Sequence, residues 1–291
     1  LLGSHFSKHF SLACGIGHSG SAIALFIFPP VTQLFLDTYG WRGAMMLITA
    51  VCCHAIPCSM LIRDDKATYH TVPDRDVGEQ ANTKPTSSMK SFIVGLYQQG
   101  GLGLLLDSKY WVLVFCRLGV TFSNSAWVIY YVPHLEDKGF SSELAASLCS
   151  AAAVGYFFGT FIWSPFIDRG YVRCTTALIV SSLMLGMSFI VDPWVNSVLG
   201  YVFVTFQCGL CLASAFTLND ILVKEVFGGE QLSNAYAWLR LPVAFVMLLS
   251  GYLPGWLYDV TGSYDIAFVI IGCVPCAALI PLVIGLALKI I

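Results

Sequence analysis

The chain has 291 residues, of which 57% are hydrophobic and only 11% charged, with a mean hydropathy of +0.75 and a formal net charge of −2. Soluble domains carry about 25% charged residues, so this composition excludes an ordinary soluble fold. No basic patch stands outside the loops, which excludes a nucleic-acid partner.

In chain order, eight apolar runs are long enough to cross a bilayer as helices: 11–36, 43–62, 110–132, 143–166, 174–191, 197–223, 232–257 and 265–288. They are too apolar all round for soluble amphipathic helices and too long for barrel strands. The expected fold is therefore all-α, integral to the membrane and polytopic. Three regions follow: 1–63 with two spans, a polar linker at 64–108, and 109–291 with six spans. The linker is rich in Asp, Thr, Ser and Pro and reads as disordered. Its tail, "SFIVGLYQQGGLGLLL", is too broken by glycine to span and reads as a surface-lying segment.

Cations orient the chain. With the linker cytoplasmic, Lys8, Arg63, Lys66, Arg75, Lys84, Lys90, Lys109, Arg169, Arg173, Lys224 and Lys289 all fall inside, and only Arg42 and Lys138 outside. Arg117 and Arg240 belong to neither side. Eleven cysteines lie almost entirely in the apolar runs, including Cys208–Cys211 and Cys273–Cys276 at CxxC spacing. With no second pair or histidine beside them they read as small buried hydrophobes, not as a metal site. No cofactor motif is visible. HExxH, GxSxG, a Walker loop and paired catalytic carboxylates are also missing, so the expectation is not an enzyme and not a nucleotide-driven pump.

The turn "LDTYGWRGA" at 36–44 is echoed by "YDVTGSYDIAF" at 258–268, each with an aspartate three residues before a glycine. Transporters built of two parallel six-helix halves show such repeats. Matching the first two runs to the last two makes this sequence spans five to twelve of twelve, a fragment that starts at Leu1.

Several stretches resemble the monocarboxylate transporters of the major facilitator superfamily. Phe6, Lys8, Leu12, Ala13 and Gly15 in "HFSKHFSLACGIGHSGSA" are similar to that family's start of span five. "DTYGWRGA" resembles the turn after it, and "LSNAYAW…GWLYDVTGSYDIAF" resembles span eleven and its turn. "SPFIDRGYVR" is similar to the short cytoplasmic loop of the superfamily, with Asp168 and Arg169 retained and Ser164 in place of the leading glycine. The resemblance implies a helical bundle of the major facilitator superfamily with eight of twelve helices present. It further implies a secondary carrier working by alternating access, and for some members a single-span immunoglobulin-like chaperone. Lactate-carrying members hold an aspartate and, four residues on, an arginine in span eight. Here those positions are Tyr156 and Thr160, a departure from the lactate pattern.

Charges inside the bilayer are costly, about 2.5–3.5 kcal/mol at a helix centre, and they normally face a bundle interior. Asp220 and Arg240 each lie about 12 Å in from the same face by helical rise and are expected to meet. Arg117 is the third intramembrane charge. Two guanidinium groups against one carboxylate leave a positive surplus suited to a planar carboxylate substrate. The alternative is a permanent Asp220–Arg240 structural pair with Arg117 reaching out to the cytoplasmic interface.

Tyr156 and Thr160 share one side of span eight and are candidate lining residues. Asn124, Ser123, Ser125 and Asn219 are candidate hydrogen-bonding groups, with packing as the alternative. His18 and His54 are open to a proton-relay or a satisfied-interior reading. Asp168 with Arg169 and Arg173 reads as a gating latch. Gly155, Gly159, Gly251 and Gly255 read as close-packing positions. Trp127, Tyr130, Tyr131, Trp256 and Tyr258 read as interfacial anchors.

The functional expectation is a carrier of small monocarboxylate-like organic anions, with a proton as the possible co-substrate, seated in the lipid bilayer of the plasma membrane. Aromatic amino acids, thyroid-hormone-like or creatine-like solutes, and a non-transporting receptor or scaffold, stay open beside it.

Overall fold

A computed structural model describes residues 10–61 and 102–288. Most of the linker, with Lys8 and Lys289, lies outside the described residues. Among those described, every element is helical: α1 (Phe10–Cys53), α2 (Ala55–Met60), α3 (Ser108–Asp137), α4 (Ser142–Ile162), α5 (Ser164–Asp168), α6 (Cys174–Val191), α7 (Val198–Thr261), α8 (Asp265–Ala278) and α9 (Ile280–Ala287). Leu102–Leu106 and Asp192–Trp194 form short 3-10 turns. The described part of the glycine-broken segment is thus one tight turn leading into α3.

Seven helical stretches among the described residues are long and apolar enough to cross a membrane. The first, Ser11–Met60, holds two of the expected spans, because α1 runs through its turn without a gap. The turn is Gly40, at φ 64° and ψ 177° inside α1. Gly228 breaks α7 in the same way, at φ 74° and ψ 173°. A side chain at either φ would crowd the backbone, so glycine marks each corner. The glycine of the echoed turn, Gly262, also takes a positive φ of 72°, closing α7 through a 2.8 Å bond from its N–H to the Tyr258 carbonyl.

Helix starts are set by short polar caps. Asp107 accepts from the Lys109 N–H at 2.9 Å, Ser141 from Leu144 at 3.3 Å and Ser197 from Gly200 at 3.1 Å. Each occupies an otherwise unpaired helix N–H where the chain leaves the loop.

Two compact units divide the chain. Residues 10–31 and 104–288 make the larger one, so the start of α1 groups with the later helices and not with 32–61. In this unit α7, whose first leg is Val198–Gly228, is the helix that packs against most of the others. It packs most extensively on α4, then on α3 and α6, while α8 lies against α6 and α3. Glycines set the α4–α7 approach. A Cβ placed at Gly155 would lie 2.0 Å from the Phe206 carbonyl oxygen, at Gly159 2.2 Å from that of Leu210, and at Gly209 2.0 Å from that of Ala152. The packing reading of Gly155 and Gly159 therefore describes the structure. Gly255 serves a different neighbour, leaving room for Tyr130, whose hydroxyl donates to the Gly251 carbonyl, while a Cβ at Gly251 would meet only Ile129, at 3.7 Å.

In the smaller unit, the part after Gly40 is a run of outward apolar side chains such as Trp41, Met45, Met46 and Met60. Arg42 covers the Trp41 ring at 5.1 Å. His54 is exposed, its Nδ1 3.0 Å from the Ala50 carbonyl of its own helix.

Two expected interfacial anchors are corrected. Trp127 and Tyr131 are only 4% and 1% exposed and pack together with ring centroids 5.1 Å apart. Their helix turns them inward, into the core formed with α7. Trp256 is exposed, as an anchor requires, and Tyr258 stacks on Tyr264 at 4.3 Å.

Candidate functional site

Five helical legs of the larger unit contribute side chains to a shared cavity of about 570 Å³, four of them as a stripe. The stripes follow the 3.6-residue period, which places residues three, four and seven apart on one face. α1 gives Cys14, His18 and Ser21; α3 gives Arg117, Thr121 and Asn124; the first leg of α7 gives Phe216 and Asp220. Tyr236, Arg240, Val243 and Met247 come from its second leg, and Tyr156 from α4.

Asp220 stands at the centre. Its Oδ1 accepts from Arg117 Nη1 at 2.8 Å, and its Oδ2 lies 2.8 Å from His18 Nε2. The Tyr236 hydroxyl is a further hydrogen-bonding neighbour of the same carboxylate. Arg117 also sits with its guanidinium carbon 4.6 Å from the centre of the Phe216 ring and donates to the Phe216 carbonyl at 3.4 Å. The side chains of Arg117, Asp220 and His18 are 18%, 14% and 25% exposed, so the cluster is largely out of water but open to the cavity.

This overturns two expectations. Asp220 and Arg240 both reach the cavity, but Asp220 is held by Arg117 and His18. Arg117 does not reach out to the interface, because α3 points it at α7, where a carboxylate and an aromatic face receive it. Arg240 lines the cavity as an exposed residue, and among the described residues it forms no hydrogen bond or ion pair. With His18 neutral, Arg117 and Asp220 cancel and Arg240 supplies one net positive charge.

Tyr156 and Asn124 line the cavity. Thr160 does not. It is 1% exposed, and its hydroxyl donates at 2.7 Å to the Phe157 carbonyl within its own helix. A Cβ at Gly15 of α1 would come 2.9 Å from the Thr160 carbonyl, so this turn of α4 is a packing point. Asn219 and Ser123 are packing groups too, donating to the carbonyls of Leu113 at 3.4 Å and Ile271 at 2.8 Å.

At the end of α5, Asp168 forms no ion pair with Arg169 or Arg173. It accepts a hydrogen bond from Ser11 of α1, while both arginines are exposed. The partner of this carboxylate is thus a serine on another helix, which neither the loop motif nor its charges announce. Sequence reasoning also gave little weight to His18 and missed Tyr236. The available signal was periodicity: Cys14, His18 and Ser21 share one face, and Tyr236 lies one turn before Arg240.

A family model described as the Major Facilitator Superfamily matches residues 113–289. Among curated relatives, Monocarboxylate transporter 12 of Rattus norvegicus is 28% identical, covering 94% of this chain and 59% of that relative. Monocarboxylate transporter 13 of Bos taurus is 26% identical, with 93% and 59% covered. Monocarboxylate transporter 11 of Mus musculus is 26% identical, with 92% and 58% covered. This chain therefore spans under two thirds of the length of these relatives. The match over most of its helical core, set beside its membrane-length helices and its charged central cavity, shows that the chain is multi-pass and belongs to the Major Facilitator Superfamily, with relatives that bear the monocarboxylate transporter name.

Proposed function

We propose that the protein is a secondary carrier of small organic anions of the monocarboxylate type, working by alternating access. The observation that carries this reading is Arg240, a guanidinium open to a cavity in which, among the described residues, the only other arginine is already engaged by Asp220. A guanidinium in a partly dry cavity favours a carboxylate strongly, since its planar fork matches two oxygens at once. Arg240 is the first contact and Arg117 the second, reached when substrate displaces Asp220. Asn124 and Tyr156 supply hydrogen-bonding groups beside them. The relatives named as monocarboxylate transporters support the same class of substrate. The cation distribution supports an orientation with the linker on the cytoplasmic side.

A second reading rests on the aromatic wall. Phe216, Tyr156 and Tyr236 all border the cavity, which suits a carboxylate bearing a ring better than a bare two- or three-carbon acid.

The test is uptake by cells expressing the full-length protein, offered labelled lactate, pyruvate, phenylpyruvate, an aromatic amino acid and creatine. Arg240→Gln is expected to abolish uptake of the accepted acid with surface abundance unchanged. Normal uptake in Arg240→Gln, or no solute entering the wild type, would overturn the reading.

A further inference from the structure

We infer that His18 is the proton-carrying residue of this cavity, and that it takes up a proton when the substrate carboxylate draws Arg117 away from Asp220. The inference rests on the anion-carrier reading and adds to it a coupling residue.

Three observations carry it. Asp220 is divided between two partners, Arg117 on one oxygen and His18 on the other, each at 2.8 Å. His18 comes from α1, whereas Arg117 and Asp220 come from α3 and α7, so the pair joins a separate helix to the bundle. Among the described residues, the cavity holds no other histidine and no second carboxylate. The titratable and charged groups around His18 are Asp220 and Lys224 on the first leg of α7, Tyr236 and Arg240 on its second leg, Arg117 on α3, Tyr156 on α4 and Cys14 on α1 itself.

Charge balance then fixes the sequence of events. Without substrate, two arginines and one aspartate leave the site at plus one. A carboxylate bridging Arg240 and Arg117 strips Asp220 of its cation, and a carboxylate out of water without a charged partner is strongly disfavoured. The neutral imidazole donates its Nε2–H to Asp220 and accepts the incoming proton at Nδ1 from cavity water. The resulting imidazolium now pairs with Asp220. One anion and one proton have entered, and the site is again at plus one. On release the carboxylate leaves, Arg117 returns to Asp220, and the Nδ1 proton passes back to water on the other side. Histidine suits this because it is the side chain whose charge ordinarily changes between pH 5 and 8.

The test is initial uptake of the accepted acid by the full-length protein from pH 8 to pH 6, read as the acid-to-alkaline ratio within each variant so that expression level cancels. The wild type is expected to gain roughly fivefold or more over this range, and His18→Gln less than about twofold. His18→Lys, which keeps a permanent cation on Asp220, is expected to give an equally flat profile, and it decides the matter if the glutamine variant does not reach the membrane. An unchanged ratio in either variant, or a flat wild-type profile with uptake intact, would overturn the role of His18 while leaving the anion carrier standing. Absence of uptake at every pH would sink both.

Discussion

Replacing Gly155 by alanine adds one methyl group, and the structure states what it meets. The new carbon would lie 2.0 Å from the Phe206 carbonyl oxygen, 2.9 Å from the carbonyl carbon and 3.1 Å from the Leu210 nitrogen. Ordinary contact begins at 3.4 Å, so α4 and α7 would have to part by about 1.4 Å at their closest point. All three neighbours are backbone and cannot swing aside. Overpacking of this kind costs about 1–3 kcal/mol, and immovable neighbours place Gly155→Ala at the upper end. Alanine's better helix propensity returns about 1 kcal/mol, leaving a net loss of about 2 kcal/mol. For a protein of this size that is a fall in melting temperature of about 3 °C. Gly20→Ala is the control: nothing lies within 4 Å of its added carbon, so it should be neutral or stabilising. The cysteines supply the assay. Cys149, Cys208 and Cys211 are buried while Cys52, Cys53 and Cys58 are exposed. A fluorogenic maleimide in detergent therefore shows an immediate baseline and a second, thermally triggered phase. If Gly155→Ala melts within 1 °C of the wild type, the backbone-to-backbone packing of α4 and α7 is not as described.

Other expectations follow from named contacts. Asp220→Ala should destabilise the fold by about 3 kcal/mol, because it leaves a mostly buried guanidinium without its anion, and the Asp220→Asn, Arg117→Gln double variant should recover most of that loss in the same melting assay. At the end of α3 remote from the cavity, His134 Nε2 lies 2.8 Å from Asp192 Oδ2 with both side chains under 5% exposed, and the imidazole stacks on Phe268 at 4.0 Å. His134→Ala should therefore cost about 3–5 kcal/mol, read as early maleimide reaction of Cys149 and Cys208. Arg240→Lys should raise KM for the transported acid by about tenfold, since an ammonium keeps the charge and loses the two-point fork, and saturation curves of uptake would show it. Thr160→Val should leave KM within about twofold, its hydroxyl being bonded to its own helix; a larger change would return Thr160 to the cavity.

The segments were legible in the sequence because a bilayer allows so few solutions. A chain that must satisfy every backbone polar group in hydrocarbon forms helices of a length set by the membrane, and length and hydropathy report that directly. Gly40 and Gly228 stood at the turns for a local reason, a positive φ, and Gly155 and Gly159 declared close packing by spacing alone. The residue types of the site were legible too, since charges in apolar runs are rare: Asp220, Arg117 and Arg240 all came to one cavity.

What the sequence by itself determined, then, is a polytopic helical protein with an anion-friendly charge surplus inside it. Which charge meets which was decided only by tertiary structure. Depth along a helix placed Asp220 level with Arg240, yet depth says nothing of rotation. The azimuth at which α1, α3 and α7 pack is what gave Asp220 to Arg117 and His18 and left Arg240 open. The same ignorance of azimuth hid the burial of Trp127 and Tyr131 and the turn of Thr160 away from the cavity. Rotation about a helix axis is set by how side chains interlock between helices, and in helices apolar on every face the hydrophobic pattern does not encode it.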